Sequence, residues 1–528
     1  MLDKVEKVKE VVHFDWRFYL TGLGLLVVNL IAAWDATAVS VALPTIAMAL
    51  KGSALQSFWI GTAFLVAATI VIPLYSTCAD ILGRKVPFLA SLGFFTMGSF
   101  ITAIVGRFSV LLLGRSIQGI GAGGIYVLSK IIVEDLVSDT DRRNWRMIIG
   151  TTWIVGIITG PIIGGSLAEN GNWRWIFWIN LPFCGLAYLI FPIFAQMKPA
   201  SSGLVLHKLA RVDWVGNVLF ACSLIAFLLG LSWGGITYIW SDSRTVLSIL
   251  FGLVGFILFL VWSYFSPFTP IITLSPFLNL TSIATYFSGL VQGAVSFSAL
   301  YFLPLFFQVF KPTITITESA IWIFPWTFTF SVFTLLTYIV IGRLFSYRMM
   351  VWGGWAFLAL GTGLTTLFTR TIGTPMWICI ALWSGAGLGM LYPSIHIASR
   401  IPSPLQLKDG DVREAITNFT FFQTLGQALG VAVAGITFQN GLYDQLRGNE
   451  LLQRLALQYA RDAVAYSTVV RGMEGETGSL RTVLQDAYIT SFKHIYVTMA
   501  ALAGAAFAVS FLMRPVPKER DEVKGGEA

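Results

Sequence analysis

Runs of about 20 apolar residues recur from one end of this chain to the other, and each can cross the roughly 30 Å hydrocarbon core of a bilayer as a helix. No water is present in that core to satisfy backbone N–H and C=O groups, so only helices and closed barrels can span it. Barrel strands are about 10 residues long and alternate in polarity; these runs do neither. Composition agrees. Of 528 residues, 56% are hydrophobic and 12% charged, against roughly 25% charged in a soluble domain. The sequence predicts an all-α polytopic membrane protein.

Spans are expected at about 18–41, 57–77, 86–104, 108–133, 147–167 and 175–195, then at 214–233 and 246–264, and finally at 282–310, 320–341, 350–368, 376–398, 415–438 and 492–513. The formal charge of +8 would invite a nucleic-acid reading in a soluble chain. Here the basic residues sit in alternate loops, as the positive-inside rule demands of cytoplasmic segments. With the N-terminus inside, cytoplasmic segments hold Arg17, Arg84, Lys85, Arg142, Arg143, Arg146, Arg400 and Arg413 among others, whereas short outer loops hold one cation each, such as Lys51, Arg107 and Arg174. The loop before the ninth span is the exception, with none. Both termini inside requires an even number of spans, and about fourteen satisfies it.

The turn Ala79–Lys85 (ADILGRK) is echoed weakly by Ile341–Arg348 (IGRLFSYR). If the seventh and eighth spans are an insertion, two six-helix halves remain, which is a transporter architecture. The expected organisation is a tail at 1–17, one half at 18–196, a linker with two additional spans at 197–265, a second half at 266–513 and a tail at 514–528. Residues 439–491 are an outer polar segment. Its stretch LLQRLALQYA has apolar residues at helical spacing, so a helix over the outer mouth is expected.

Asp35 lies inside the first span. An acid at membrane depth costs about 3 kcal/mol or more and marks a proton, ion or ligand site unless it reaches headgroup water. Arg115 lies inside the fourth span, with Gln118, Gly119 and Ala122 on its face. Next to Asp35 it would lower that acid's pKa; the alternative is a structural arginine bonded to backbone carbonyls. Asp80, Gly83, Arg84 and Lys85 fill the turn after the second span. Asp80 can latch the cytoplasmic side through Arg413, or the turn can merely mark topology. Glu134 and Asp135, beside Arg142 and Arg143, read as a loop ion-pair cluster; adjacent residues do not share a helix face.

Gly156, Gly160 and Gly164 recur every fourth residue, so they share one face that another helix can approach closely. Pro161 between them bends the helix, and Gly165 follows. This is either a static packing seam or a surface against which another helix rocks. The C-terminal half offers Gln292, Trp322, Trp326, His396, Asn418, Gln423 and Gln427, which with Gln118 could wall a cavity for an uncharged, aromatic-stacking substrate or could simply be packed core.

No catalytic motif is present: no GxSxG, HExxH, P-loop or CxxC. The four cysteines fall in or beside apolar runs and read as small core residues. The chain is read as no enzyme, with no cofactor and no metal. Without a nucleotide site, transport must run on a gradient.

These stretches resemble the major facilitator superfamily, specifically its fungal drug:proton antiporter branch with fourteen spans. Ala79–Lys85 is similar to the loop motif DxxGRK, Arg115–Gly121 to RxxQGxG, Gly156–Gly165 to the antiporter motif GxxxGPxxGG, and Asp35–Pro44 to the first-span motif. Trp173–Pro182, Asp213–Gly216 and Phe422–Gly430 also look like family stretches. Ser76 and Ile81 depart from the loop pattern, which usually has Gly and Arg there. The resemblance implies that Arg115 serves proton coupling, Asp80 and Arg84 gate, and the glycines form an antiport-specific bend.

The expected function is proton-coupled efflux of a small lipophilic compound across a fungal plasma membrane by a monomer, with Asp35 and Arg115 as the switch. A vacuolar membrane is the alternative location. A symporter or facilitator for an organic acid, siderophore or nutrient is the second reading, weakened because Arg115 is the one cavity cation found. A membrane sensor is the third, and the short tails disfavour it.

Overall fold

The computed structural model describes residues 16–137, 141–195, 212–266, 279–310, 314–341, 346–369, 372–400, 409–450, 452–472 and 478–515, and positions 197, 210 and 268. Most of the two tails, of the connection before the seventh span and of the 341–348 turn lie outside the described residues.

The first half consists of α1 (Trp16–Leu50), α2 (Ala54–Leu82), α3 (Lys85–Ala103), α4 (Phe108–Leu136), α5 (Arg142–Glu169) and α6 (Trp175–Phe194). Two inserted helices follow, α7 (Trp214–Trp233) and α8 (Ser243–Phe265). The second half holds α9 (Leu280–Phe310), α10 (Ile316–Trp322 with Phe324–Val340), α11 (Tyr347–Leu364), α12 (Thr374–Ala398) and α13 (Asp409–Arg447). Short helices α14 (Ala456–Arg461) and α15 (Ala463–Gly472) precede the last span, α16 (Gly478–Ser510). Among the described residues thirteen helices are long and apolar enough to cross a membrane, and α10, bent by 41°, makes a fourteenth.

The bend in α10 has a covalent cause. Pro325 has no N–H for the carbonyl of Ile321, and its ring crowds that carbonyl, so the helix breaks at Ile323. Pro44 does not end α1, which runs on to Leu50. One lost hydrogen bond is tolerated because in lipid only the helix satisfies the remaining backbone groups.

The 439–491 segment is largely helical rather than a loop. Helix α13 continues to Arg447 and α16 begins at Gly478. Between them α14 and α15 fold onto the outer ends of the bundle, with Ala460, Ala463 and Val464 fully buried. Tyr488 Oη donates to the Ala463 carbonyl at 2.7 Å and Gln439 Nε2 to the Ala460 carbonyl at 3.4 Å.

Close helix approach is built from small residues, and the same pairs recur in both halves. A Cβ on Gly156, Gly160 or Gly164 would strike Ala33, Thr37 or Ala38, so α5 lies directly on α1. The counterpart is α13 on α9, where Gly293 and Gly426 each face the other helix's backbone. Likewise Gly119 and Gly123 seat α4 on α2, and Gly385 and Gly389 seat α12 on α10. Gly121 seats α4 on α3, and Gly387 seats α12 on α11. Offset by eight helices, each pair has its twin. Two six-helix halves with α7 and α8 inserted therefore describe the packing as well as the sequence.

The inserted pair lies against the seam between halves. Asp213 caps α7 by accepting from the Gly216 N–H at 2.8 Å, and accepts from Trp262 Nε1 of α8 at 2.9 Å. Phe220 stacks on Phe421 of α13 at 5.4 Å. Helix α8 is mostly exposed along its length, as suits a lipid-facing span.

Replacing Gly164 by Val is expected to lower stability by about 1–3 kcal/mol, because the added atoms meet the Ala38 backbone and force α1 and α5 apart. Thermal unfolding in detergent measures it.

Candidate functional site

Asp35 sits in α1 and Arg115 in α4, and both side chains are fully buried. They form an ion pair through Arg115 Nη1 and Asp35 Oδ2. Arg115 Nη1 also donates to Gln118 Oε1 at 2.8 Å, and Nε donates to the Ile60 carbonyl at 3.1 Å. Asp35 Oδ1 accepts from Gln118 Nε2 at 2.7 Å and Asn180 Nδ2 at 3.1 Å. Gln118 and Asn180 both donate to Ser99 Oγ as well. The Arg115 guanidinium lies 4.2 Å from the centroid of Phe64, a cation–π contact. Five helices thus hold one buried charge pair. Arg115 contacts both partners that the sequence readings named, the acid and a backbone carbonyl. Asn180 and Ser99 were missed in the sequence, because neither carries a charge or a motif spacing that singles it out.

The second half touches this cluster through Tyr301 of α9. Its hydroxyl lies against Gly61 of α2 and donates weakly to the Ala36 carbonyl at 3.5 Å. Further toward the outer face, Phe58 stacks on Phe302 at 5.0 Å and Gln308 Nε2 donates to the Val41 carbonyl at 3.3 Å. Glu169 of α5 is bonded to Thr317 of α10, and Gly165 lies on the Thr317 backbone. So Gly165 faces the other half, while Gly156, Gly160 and Gly164 face α1 of their own half.

At the end of the bundle that holds the α2–α3 turn, expected from the basic loops to be the cytoplasmic one, the halves are joined by charge. Gly83 adopts φ 81°, a left-handed backbone that glycine takes without strain, and this swings Arg84 back over the turn. Arg84 donates to Asp80 and to Asp135, each at 2.7 Å. Burial works against the Arg84 charge, yet these two carboxylates outweigh it and hold its pKa above the ordinary arginine value. Lys85 Nζ caps the Pro192 carbonyl at 2.7 Å. Arg413, from the other half, reaches Asp80 at 3.0 Å and Asp135 at 3.7 Å. Ser76 and Thr417 share a hydrogen bond beside it at 2.8 Å. The neighbouring acids Glu134 and Asp135 point to different partners. Glu134 pairs with Arg146 at 2.6 Å, with Arg142 at 3.7 Å and, across the halves, with Arg400 at 2.8 Å. Arg143 instead donates to the carbonyls of Tyr338 at 2.9 Å and Ile339 at 3.2 Å. Contacts therefore close the interface on both faces.

Between the halves, just above the Glu134 bridge, lies a cavity of about 50 Å³. On that measure a water needs roughly 10–15 Å³, so it holds a few waters in this closed state. Lys130, Arg146 and Trp153 line it from the first half, and Tyr338, Tyr392, His396 and Arg400 from the second. The residues proposed from sequence as cavity walls are elsewhere, His396 excepted. Gln118 belongs to the Asp35 cluster. Gln292 and Gln423 bond each other at 3.0 Å, joining α9 to α13. Trp326 and Asn418 are buried, and Trp322 packs on Phe307 at 5.5 Å near the outer end. In a bilayer such polar side chains join helices to one another. Lys130 carried a legible signal, a lysine inside the fourth span. Arg400 was counted as a loop cation because nothing in sequence shows that its side chain, just past the end of α12, lines the cavity.

A bundle of two like six-helix halves, with a charge pair buried in one and ionic bridges between them, is the architecture of a secondary transporter. The chain belongs to the Major Facilitator Superfamily, whose family profile matches residues 25–434. It is 37% identical over 499 residues to "MFS transporter L2" of a Phoma species, covering 94% of this chain and 82% of that one. It is 31% identical to "MFS-type efflux pump LUC4" of a Fusarium species, covering 96% and 89%. Among solved structures it is similar in fold to the xylose transporter XylE from E. coli, with a TM-score of 0.57 at 12% identity, covering 95% of this chain and 99% of that one. A bacterial homologue of the human lysosomal transporter Spinster, in an inward-facing occupied state, matches with a TM-score of 0.56 at 16% identity, covering 94% and 97%.

Two outcomes follow from the charge geometry. Asp35→Leu strands a buried guanidinium and is expected to cost about 3–5 kcal/mol, most of which Asp35→Leu with Arg115→Leu recovers; thermal unfolding in detergent reads both. Arg413→Gln removes the closer bridge to Asp80 and the longer one to Asp135. Asp80 is half exposed, so the closer bridge contributes about 0.2–1 kcal/mol. Labelling of a cysteine placed at Thr417 by an impermeant maleimide from the cytoplasmic side should rise by about 1.5- to fivefold.

Proposed function

We propose that this protein is a proton-coupled efflux transporter that exports a small lipophilic compound by alternating access. The observation that carries the reading is the fully buried Asp35–Arg115 pair. A charge pair taken out of water in the middle of a bundle is costly, and a proton is the smallest ligand that can change it. Protonating Asp35 leaves Arg115 without its counter-charge at the junction of α1 and α4. Helix α1 also bears Asn29, which lines the cavity, and six residues along an α-helix span about 9 Å. The proton site and the cavity therefore share one rigid element.

Asp80, Gly83, Arg84 and Lys85 act as the cytoplasmic gate in this reading, with Arg413 as the partner from the other half. Gly156, Gly160 and Gly164, with Pro161 among them, keep α5 moving as one body with α1, while Gly165 meets α10 of the other half. The names of the relatives, an efflux pump and other fungal transporters, support export. The protein works as a monomer on protons and a small molecule, in the plasma membrane of a fungal cell. The second reading, a symporter or facilitator for an organic acid, is favoured by one observation, the cationic lining of the cavity.

The test is export of Nile red and of fluorescein from cells expressing the wild type, Asp35→Asn or Arg115→Ala, with and without a protonophore. Export of either dye that stops with the protonophore and in both variants is expected. Export that persists with the proton gradient collapsed overturns proton coupling. Dye accumulation instead of export turns the reading to import.

A further inference from the structure

The cavity between the halves has a charge imbalance that its gating role does not use. Lys130, Arg146 and Arg400 line it. Glu134, the carboxylate beside them, binds Arg146 at 2.6 Å and Arg400 at 2.8 Å. Two arginines against one carboxylate already leave the lining net positive, and Lys130 adds a buried amine that an entering anion would hold protonated. Among the described residues Lys130 has no carboxylate within 4.0 Å; its ammonium reaches Thr420 Oγ1 at 3.1 Å. Arg400 Nε is buried and, among the described residues, has no hydrogen-bond partner. Burial pushes the Arg400 pKa down to about 10 despite Glu134, so it stays charged at physiological pH. A bridge that only closed the interface would need matched charges. Unmatched cations facing a cavity in a low-dielectric bundle are costly until an anion enters.

The walls add a second constraint. Trp153, Tyr392 and His396 line the same space. His396 also packs against Phe419 at 4.4 Å. Such walls favour an apolar, ring-bearing body over a small hydrated ion.

We propose that this cavity, enlarged as the two halves part, binds the carboxylate of a lipophilic, ring-bearing acid, with Lys130 and Arg400 as the carboxylate's partners and Trp153 and Tyr392 against its apolar body. The proposal rests on the transporter reading above and narrows its substrate class. Lys130 comes from α4 and Arg400 from just past the end of α12, so each half supplies one basic group. The anion competes with Glu134 for Arg400, so its arrival weakens the bridge that closes the cytoplasmic side. Arg146 keeps Glu134 occupied when Arg400 turns away.

The experiment is equilibrium binding of 1-naphthaleneacetic acid and of its uncharged amide to the full chain in lipid nanodiscs at pH 7. The acid is expected to bind at least tenfold more tightly than the amide. Lys130→Gln and Arg400→Gln should each weaken the acid about tenfold and leave the amide within twofold. Lys130→Arg, which keeps the charge, should preserve the preference and exclude a folding defect as the cause. Equal binding of acid and amide, a preference that survives both glutamine variants, or binding of neither probe overturns the assignment. Dye export reads the transporter function separately. Equal binding with export intact sinks the acid assignment alone, and a clear acid preference without export sinks the efflux reading alone.

Discussion

In a bilayer, helices gain no hydrophobic free energy by meeting one another, since lipid tails are as apolar as leucine. What holds this fold is backbone approach at small residues, and the repeated glycine contacts show where it acts. The α1–α5 and α9–α13 seams are twins, as are α2–α4 and α10–α12. Within each half the helices are locked by backbone contact. Between halves most joints are of another kind, ring stacking and hydrogen bonds at one end and ion pairs at the other, with Gly165 on the Thr317 backbone as the exception. That difference in kind lets the two halves part while each stays whole. Ion pairs and ring contacts can be remade with water or substrate, whereas a glycine seam has nothing to exchange.

The buried charge pair belongs to the first half alone. Its donors come from α4 and α6, the α2 backbone accepts from Arg115 through the Ile60 carbonyl, and among the described residues the second half brings the Tyr301 hydroxyl nearby. The element that links the pair to the interface is α1, which meets α5 at the glycine seam and the cavity at Asn29. The two acids at the end of α4 divide the cytoplasmic closure between them, Asp135 toward Arg84 and Arg413, Glu134 toward Arg146 and Arg400. Adjacent residues on a helix point about 100° apart, so one helix end serves two bridges.

Much of the fold was legible because hydropathy and basic-loop asymmetry are strong signals in lipid. The spans, the inserted pair and the two halves follow from run length, Lys/Arg placement and motif spacing. The charge pair was legible because each member is costly at its depth. Helix ends were not, since α13 and α16 extend into polar sequence where packing, not hydropathy, keeps them helical. The cavity was not legible either. Lys130 and Arg400 are 270 positions apart, and no period relates them. Gln292 and Gln423 look like ligand groups in sequence and prove to be partners of each other. Composition marks a polar residue in a span, but only geometry shows whether it faces a helix or a hole.

Helix α13 is 39 residues long, roughly 58 Å at the α-helical rise. Near its inner end Arg413 grips Asp80 and Asp135, its middle is seamed to α9, and its outer end carries the chain into the α14–α15 cap. A rod held at its middle is a lever. A tilt of about 5° moves its two ends by roughly 2.5 Å in opposite directions, comparable to the length of a hydrogen bond. Loosening the inner grip then presses the cap, and lifting the cap tightens the grip, so one stiff helix is enough to keep both mouths from standing open together.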